Sequence, residues 1–377
     1  MDFNNQLSDM LNMLEEIVNM DSGSYDKEGI DAFGKYLQNL YSAIGFQTEE
    51  VLNNAAGNNL VIKHKDAENP EIIILAHMDT VFTKGTAEER PFTVKKERAY
   101  GPGVIDMKAS HVMLYHTLKY LVEQGDNTYK NVILVFNSDE EIGSKTSKNL
   151  IIEKSRGKKY ALVLEPARID GSIVSSRRGS SNYQLNITGV AAHSGIEPDN
   201  GRSAIKELAH KIFKIEALSR PEEGLHVNVV QISGGKASNI IAPNATASVD
   251  VRISTQAQGE WVDSEIKKIV AQADVEGTVI ELSGGLNRPP MEFTEGTDSL
   301  VHLIQREGRK LGIEVQHTAT GGGSDASFPA AIGIDTIDGL GPVGGAQHSD
   351  DEYLEINTLT ERTALFTELL KSIGHLN

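Results

Sequence analysis

The sequence predicts an α/β fold with a smaller α+β domain inserted into it. Short apolar runs typical of buried strands alternate with helical stretches up to about residue 178. Between 179 and 290 the strands instead alternate apolar and polar residues, which is typical of a sheet with one exposed face. The first pattern then resumes. We therefore expect an outer domain built from residues 1–178 and 291–377, interrupted by an inserted domain of residues 179–290.

The spacing of apolar residues predicts each element of the outer domain. Near the start, Leu7, Leu14 and Val18 share one helical face among acidic residues, which indicates an amphipathic helix rather than a signal peptide. Continuous apolar runs predict buried strands in a largely parallel sheet. We expect strands over 59–63, 72–76, 132–137 and 161–165, and helices over 106–123, 144–154, 298–311 and 359–373.

The inserted domain is predicted to have the element order βαββαβ, an open sheet with both helices on one face, as in ferredoxin-like folds. Gly284–Pro290 (GGLNRPP) is rich in turn residues, and we expect it to be the exit linker. The strands are expected over 182–188, 227–232, 245–253 and 278–282, and the helices over 203–217 and 260–273.

Composition excludes several classes of function. The 377 residues carry 36 Lys and Arg against 53 Asp and Glu, a net charge of −17, which argues against binding to nucleic acid or to an anionic membrane. The absence of cysteine excludes disulfides, thiolate metal sites and a cysteine nucleophile. The apolar runs are far shorter than the ~20 residues of a membrane span. A globular, cytoplasmic protein is expected.

The first candidate site residues end a predicted strand in ILAHMDTV. His77 and Asp79 are two residues apart, so their side chains project to the same side. Open α/β sheets bind ligands at the carboxyl ends of their strands. The imidazole could bind a metal while the carboxylate orients it. A histidine that is merely hydrogen-bonded in a loop is the alternative.

Two acidic segments offer further ligands. Asp106 follows the rigid loop Gly101-Pro102-Gly103 and could cap the next helix or bind a metal. Asp139, Glu140 and Glu141 are adjacent carboxylates that repel one another, so a folded site would need a cation, a helix N-terminus or raised pKa values. In extended backbone Glu141 could ligate a metal while Glu140 stays available as a base. A solvated acidic turn is the alternative.

Three more residues complete the candidate set. Glu165 ends a strand that otherwise reads as buried, His193 lies in the inserted domain, and His348 lies on a loop of the outer domain. Nitrogen and oxygen ligands without sulfur suit zinc, cobalt or manganese.

The order of these motifs resembles the co-catalytic zinc hydrolases that include aminoacylase, acetylornithine deacetylase, succinyl-diaminopimelate desuccinylase and the bacterial glutamate carboxypeptidases. The resemblance runs from about Glu71 to Ile356 and is closest to the glutamate carboxypeptidases, in DTVFTKG, SNIIAP and TGGGSDA. It implies a zinc-peptidase-like mixed sheet flanked by helices. Relatives usually carry Gly-Gly or Gly-Ala after Lys108, whereas this chain has Ala109-Ser110.

The resemblance also implies a role for each outer-domain candidate. Glu140 would be the general base, and Asp79 would orient His77. Two divalent metal ions, zinc or alternatively cobalt or manganese, would share Asp106 as a bridging ligand. The first ion would be held by His77, Asp106 and Glu165, and the second by Asp106, Glu141 and His348.

For the inserted domain the resemblance implies a lid that also forms a homodimer. His193 would stabilise the oxyanion. Asn239, Arg252 and, less directly, Arg288 would grip the substrate, because a guanidinium pairs well with a free carboxylate. In the second part of the outer domain, which the resemblance implies to be catalytic, the backbone of Gly322, Gly323 and Ser324 would line the pocket for the leaving residue.

The implied reaction is hydrolysis of the amide bond to a C-terminal amino acid of a small peptide or N-acyl amino acid. A deacylase of N-acyl amino acids or a di- or tripeptidase would use the same residues. A nucleotide-binding protein is disfavoured, because the glycine-rich segments 321–323 and 341–345 match no phosphate-binding motif. A catalytically silent metal-binding scaffold is disfavoured because Glu140 and every ligand position are retained.

Overall fold

A computed structural model describes residues 3–374 of the chain. The chain divides into two compact units. The outer unit consists of the chain up to Ser176, Phe293–Thr320, and the chain from Ser324 onward; the inserted unit consists of Arg177–Glu292 and Gly321–Gly323.

Strands and helices alternate along the outer unit, and one continuous run of strands and helices forms the inserted unit. The strands are β1 Phe46–Val51, β2 Asn59–His64, β3 Ile72–His77, β4 Thr93–Lys95, β5 Arg98–Tyr100, β6 Val132–Asn137, β7 Tyr160–Val163, β8 Ile173–Arg177, β9 Gly179–Thr188, β10 His226–Gly234, β11 Asn244–Ile253, β12 Val279–Arg288, β13 His317–Thr320, β14 Asp335–Ile337, β15 Gly344–Gly345 and β16 Tyr353–Glu355. The helices are α1 Leu7–Val18, α2 Lys27–Ala43, α3 Thr86–Glu89, α4 Ala109–Glu123, α5 Lys148–Ser155, α6 Ala204–Glu216, α7 Gln256–Val270, α8 Glu295–Leu311, α9 Ser327–Ala331 and α10 Ile356–Gly374.

The outer unit is built on a six-stranded mixed sheet with the order β1-β2-β6-β3-β7-β14. Strands β6, β3, β7 and β14 are parallel, and β1 and β2 are antiparallel to their neighbours. Strand β3 is buried along its whole length, as its apolar run predicts. The register pairs His77 with Asn137, so the carboxyl ends of β3 and β6 lie side by side.

The segment around Asp106 differs from the prediction. The helix expected from residue 106 begins at Ala109, and Asp106 has the non-helical angles φ −114° and ψ 90°. The backbone N–H groups of Gly103, Ile105 and Asp106 donate to the buried carboxylate of Glu352 instead of entering a helix. The peptide bond between Asp106 and Met107 is cis. Asp106 is therefore not the cap of α4, and its carboxylate is available for another role.

Two other boundaries also bear on the site. The helix expected from residue 144 begins at Lys148, and Ser144 has φ +52°, which a right-handed helix does not allow. Before the helix, the hydroxyls of Ser144, Thr146 and Ser147 donate to the buried carboxylates of Asp325 and Asp139. Strand β7 ends at Val163, which leaves Glu165 in the loop beyond it rather than in the strand.

The inserted unit is a four-stranded antiparallel sheet with the order β10-β11-β9-β12. Its chain order is β9-α6-β10-β11-α7-β12, which matches βαββαβ. Buried and less buried residues alternate along β9 and β11. Helices α6 and α7 pack onto the same apolar cluster as the buried face of the sheet, through residues such as Leu208 and Val262.

The exit linker predicted over Gly284–Pro290 is wrong for most of its length. Strand β12 continues to Arg288 and pairs with β9 over its length, with one shift of register between Leu286 and Arg288. Gly284 has φ +104°, and a Cβ there would lie 2.0 Å from the carbonyl oxygen of Asn182, so the glycine permits a close approach of two strands rather than a turn. The strand ends before Pro289, which has no N–H to donate.

No helix in the described part of the chain combines the length and apolar character that crossing a membrane requires.

Candidate metal centre

The predicted metal ligands gather in the outer unit at one edge of the mixed sheet. His77 ends β3, Glu141 follows β6, and Glu165 follows β7. These strands are parallel neighbours, so their carboxyl ends meet at the same edge. Asp106 arrives on the loop before α4, and His348 on the loop before β16.

Asp106 lies between the two histidines. Its Oδ1 is 3.1 Å from Nε2 of His77, and its Oδ2 is 3.4 Å from Nε2 of His348. Nε2 of His348 is also 3.2 Å from Oε2 of Glu141, and Nε2 of His77 is 3.8 Å from Oε1 of Glu165. Each oxygen of the Asp106 carboxylate therefore faces a different imidazole, with one further carboxylate beside each ring.

Two overlapping groups of side chains in the described residues have ligand atoms within 4.8 Å of one another. One contains His77, Asp106 and Glu141; the other contains His77, Glu140 and Glu165. Glu140, expected from the sequence to be a base, thus lies as near to the cluster as the expected ligands do.

Asp79 holds the site together in more ways than the sequence predicts. Its fully buried carboxylate accepts hydrogen bonds from the backbone N–H of Glu140 at 3.0 Å and Glu141 at 3.1 Å, and from the hydroxyl of Ser24 at 2.7 Å. Nδ1 of His77 lies 2.8 Å from the carbonyl oxygen of Asp79 and 3.5 Å from its carboxylate. Because a carbonyl only accepts, Nδ1 carries a proton, and Nε2 is the nitrogen of His77 that faces the cluster.

Burial and close polar contacts shift the pKa values of several groups in the cluster. Burial, together with the charge of Asp106, raises the pKa of Glu165 well above its usual value. Burial also raises the pKa of Glu141. Hydrogen bonds to the carboxylates of Asp106 and Glu141 raise the pKa of His348 to about 10. Burial opposes ionisation of Asp106, but hydrogen bonds from His348 and His77 hold its pKa well below the usual range.

These residues fit a divalent metal. Several carboxylates share a poorly solvated space, where a cation would relieve their mutual repulsion. Oε1 of Glu141 is buried and has no hydrogen-bond partner among the described residues, so it has a lone pair to offer. The donors are imidazole nitrogens and carboxylate oxygens, which suit zinc and similar ions.

Sequence reasoning missed two buried carboxylates that support the site. Glu352, which is 1% exposed, organises the loop of Asp106 through three backbone N–H groups, and burial raises its pKa to about 7. Asp325 accepts hydrogen bonds from Ser144 and, at 2.7 Å, from Nδ2 of Asn137, beside the loop of Glu140 and Glu141. Glu352 lies four residues after the predicted ligand His348, and Asp325 lies in the segment TGGGSDA, which was the available signal for both.

In the inserted unit, His193 and Asn239 are neighbours. His193 and Ile240 form an antiparallel bridge, and the N–H of Ser194 donates to the carbonyl of Asn239 at 3.0 Å. The side chains of His193 and Asn239 are exposed. Nε of Arg252 donates to Asp250 at 3.0 Å, so this guanidinium already has one carboxylate partner.

The remaining predicted substrate-binding residues lie in two environments. Arg288 is 8% exposed, and its side chain lies against Gly323. Nη1 of the buried Arg177, a residue to which the sequence assigned no role, donates to the carbonyl of Gly322 at 3.1 Å. Gly322 and Gly323 are exposed. Ser324 is instead buried in the outer unit, where its hydroxyl donates to the carboxylate of Asp338.

A histidine and carboxylate cluster at the carboxyl edge of a mixed sheet is the arrangement of a metal-dependent hydrolase. The model of peptidase family M20/M25/M40 matches residues 73–372. The chain therefore belongs to this family and is a metallohydrolase of the M20 type.

Similar proteins agree on the family and differ in their named activity. The chain is 33% identical to carboxypeptidase G2 of Pseudomonas sp. (strain RS-16), over 97% of this chain and 89% of that protein. It is 25% identical to the succinyl-diaminopimelate desuccinylase of Thioalkalivibrio sulfidiphilus, over 97% and 99%. The crystal structure of aminopeptidase PepT from Bacillus cereus matches with a TM-score of 0.82 at 22% identity, covering 98% of this chain and 99% of that one. The expected mixed α/β fold is confirmed.

Proposed function

We propose that the protein is a dinuclear metallocarboxypeptidase that hydrolyses the amide bond to a C-terminal amino acid, with zinc as its metal. The observation that carries the proposal is the Asp106 carboxylate, whose two oxygens face two different histidines at 3.1 and 3.4 Å. A carboxylate so placed suits a bridge between two ions. The 33% identity to carboxypeptidase G2 supports release of a C-terminal residue.

In this proposal two sets of residues hold the metal ions. When bound, the ions polarise the scissile carbonyl and lower the pKa of water toward ~7. The first set is His77, Asp106 and Glu165, and the second is Asp106, Glu141 and His348.

Glu140 is the proposed general base. Its carboxylate can approach the ligand atoms of His77 and Glu165 within 4.8 Å, and its backbone N–H is fixed by Asp79. It takes a proton from the attacking water and delivers it to the leaving amine, a transfer that contributes typically about 10²–10⁴-fold in rate. Asp79 positions Glu140 and fixes the tautomer of His77.

The roles proposed for the inserted unit rest on the family resemblance. His193 stabilises the oxyanion, Asn239 and Arg252 bind the substrate, and Arg288 is a second cation for its carboxylate. Gly322 and Gly323 line the pocket for the leaving residue.

We also propose that the inserted unit forms a homodimer. Strand β10 lies at an edge of its sheet, where Val230 is 56% and Ile232 is 67% exposed. An apolar unpaired edge favours pairing with a second copy. Light scattering after size-exclusion chromatography should give a dimer for the native chain and a monomer for Ile232→Lys. The cytoplasmic location expected from the sequence stays a prediction.

A second candidate is an N-acyl-amino-acid deacylase or a di- or tripeptidase using the same site. The similarity to a succinyl-diaminopimelate desuccinylase over 97% of the chain supports this second candidate. The two candidates differ in which side of the amide bond governs the rate.

A substrate panel decides between them. The panel holds one acyl group constant while the C-terminal residue is Glu, Asp, Ala, Leu or Lys, and then holds Glu constant while the acyl group varies. Each reaction is run with zinc, cobalt or manganese and with a chelator. Chelator-sensitive hydrolysis that depends chiefly on the C-terminal residue supports the carboxypeptidase. Rates set by the acyl group alone would transfer the chain to the deacylases, and no hydrolysis by the metal-loaded protein would refute both.

A further inference from the structure

A cavity of about 470 Å³ adjoins the metal centre within the outer unit. Its walls come from residues 23–26 before α2, residues 80–84 after β3, and Glu141 with Ile142. The volume lies within the ~300–1,000 Å³ typical of small-molecule sites. Glu141 belongs to both the cavity and the candidate metal centre, so the two share a wall.

Apolar side chains reach solvent around this cavity. Tyr25 is 88% exposed and Val81 is 41% exposed, and Phe82 and Ile142 are partly buried. Apolar groups left exposed together beside a reaction centre are typical of a surface that binds a ligand.

The charges of the cavity disfavour an anion. Lys84 is the one cation among the described residues that line it. Its Nζ lies 3.4 Å from Asp26 and 3.2 Å from Glu28, so two carboxylates already share it. Asp26 lines the cavity as well. A carboxylate entering the cavity would therefore meet acidic neighbours and no unshared cation.

This charge pattern identifies which part of a substrate fits. If Glu141 holds a metal next to the scissile carbonyl, the cavity receives one of the two groups that the scissile amide bond joins. These are the acyl substituent and the leaving amino acid. The leaving amino acid carries a free carboxylate, which needs a cation that the cavity does not offer. The acyl substituent is therefore the part that fits.

We propose that this cavity is the binding site for the acyl side of the substrate and that it selects neutral, largely apolar acyl groups over anionic ones such as succinyl. The inference rests on the proposed function and adds the substrate class to it. The walls that set the preference are Tyr25, Val81 and Ile142, with Asp26 excluding anions.

A pair of matched substrates tests this preference. N-(4-methylpentanoyl)-L-glutamate and N-succinyl-L-glutamate share the leaving group and nearly the same shape, but an isopropyl group replaces the carboxylate. We expect kcat/KM to be at least about tenfold higher for the neutral substrate, since one unpaired charge next to acidic groups costs about that factor or more.

Val81→Lys then places an additional cation in the wall. The ratio of the two kcat/KM values should fall about tenfold or more, mainly through a lower KM for the succinyl substrate. Val94→Lys is the matched control, because Val94 is 49% exposed on β4 and does not line the cavity, so the added charge should leave the ratio unchanged.

The outcomes separate the two proposals. If both lysine variants hydrolyse the substrates with the same ratio, the cavity is not the acyl site, although the proposed function stands. If Val81→Lys loses its far-UV circular dichroism, Tyr25→Ala replaces it and should lower kcat/KM for the neutral substrate alone. If the native protein hydrolyses neither substrate, the proposed function fails. Calorimetric binding of the same pair then tests the cavity, and equal affinities would overturn it.

Discussion

The two units hold their candidate functional residues in opposite ways. In the outer unit, His77 and Asp79 are almost fully buried, and Asp79 alone receives three hydrogen bonds from neighbouring segments. In the inserted unit, His193 and Asn239 project from an exposed surface. Carboxylates that repel one another must be fixed in place by buried hydrogen bonds. Side chains that contact a substrate must instead be accessible and have hydrogen-bond donors available to it. Substitutions in the outer cluster should therefore have the larger effects.

The largest effect is expected for Glu140→Gln. The amide keeps the shape of the side chain but cannot accept a proton, so kcat should fall by about 10³-fold. Metal content, measured by atomic emission on the purified protein, should stay unchanged. Glu88→Gln, an acidic residue of the short helix α3, is the control and should retain full activity.

The metal measurement matters because Glu140 lies in one group with His77 and Glu165. A loss of one metal equivalent in Glu140→Gln would make Glu140 a ligand rather than a base. Undiminished turnover would remove it from both roles.

Asp79→Asn should produce the next largest effect. The amide NH₂ would face the N–H groups of Glu140 and Glu141, so two donors would oppose each other where a carboxylate now accepts. We expect metal affinity to fall by about 10–100-fold, as measured by competition with a chromogenic chelator.

Asp66→Asn is the matched control for Asp79→Asn. His64 and Asp66 repeat the same spacing, with Nδ1 of His64 3.7 Å from Asp66, but away from the acidic cluster. Metal affinity in this variant should be native. Equal losses in both variants would mean that Asp79 acts only through general stability.

His193→Ala probes the inserted unit. Removal of one donor that stabilises an oxyanion typically costs about 10²–10³-fold in kcat. Because His193 is exposed and distant in sequence from the ligands, metal content should not change. His210→Ala, an exposed histidine of α6, should be neutral. Loss of metal from His193→Ala would instead place this histidine among the ligands.

The buried strands and the motifs that follow them could be predicted from sequence because both depend on local patterns. Strand β6 has its predicted bounds, Val132–Asn137, since a continuous apolar run leaves little choice of structure. The supporting contacts could not be predicted in the same way. Glu352 reaches the loop of Asp106 across more than 240 residues, and no local rule pairs them.

The incorrect exit linker has a related cause. Gly284 and Gly285 look like turn residues in the sequence, but both lie in a strand. Position 284 is a glycine because the partner backbone approaches it too closely for a side chain. The requirement comes from β9, about a hundred residues earlier in the chain. The inserted unit therefore retains its predicted order while its last strand is longer than predicted.

The smallest expected effect concerns acid stability. His116 of α4 is 4% exposed, and burial lowers its pKa to about 4 from the ordinary 6.5. Below pH 6.5 His116 is protonated in the unfolded chain, but in the folded chain it is protonated only below about pH 4. The free energy of unfolding therefore decreases as the pH falls from 6.5 to about 4. The loss is about 3 kcal/mol by pH 4, at ~1.4 kcal/mol per pKa unit. His116→Gln should lack it.

The inserted unit should respond at lower pH. Hydrogen bonds from Lys211 and Lys214 lower the pKa of Asp274 to about 2, so its contribution persists until the pH falls below about 4. Trp261, the single tryptophan of the chain, packs against the core of this unit and reports its unfolding by fluorescence. Urea titrations of the metal-free protein are compared at pH 6.5 and 4.5. The shift of the circular dichroism transition between these pH values should be smaller in His116→Gln than in the native protein, whereas the shift of the Trp261 fluorescence transition should be the same in both. Equal shifts of both transitions would show that the two units unfold as one, and the contrast between them would then hold for chemistry but not for stability.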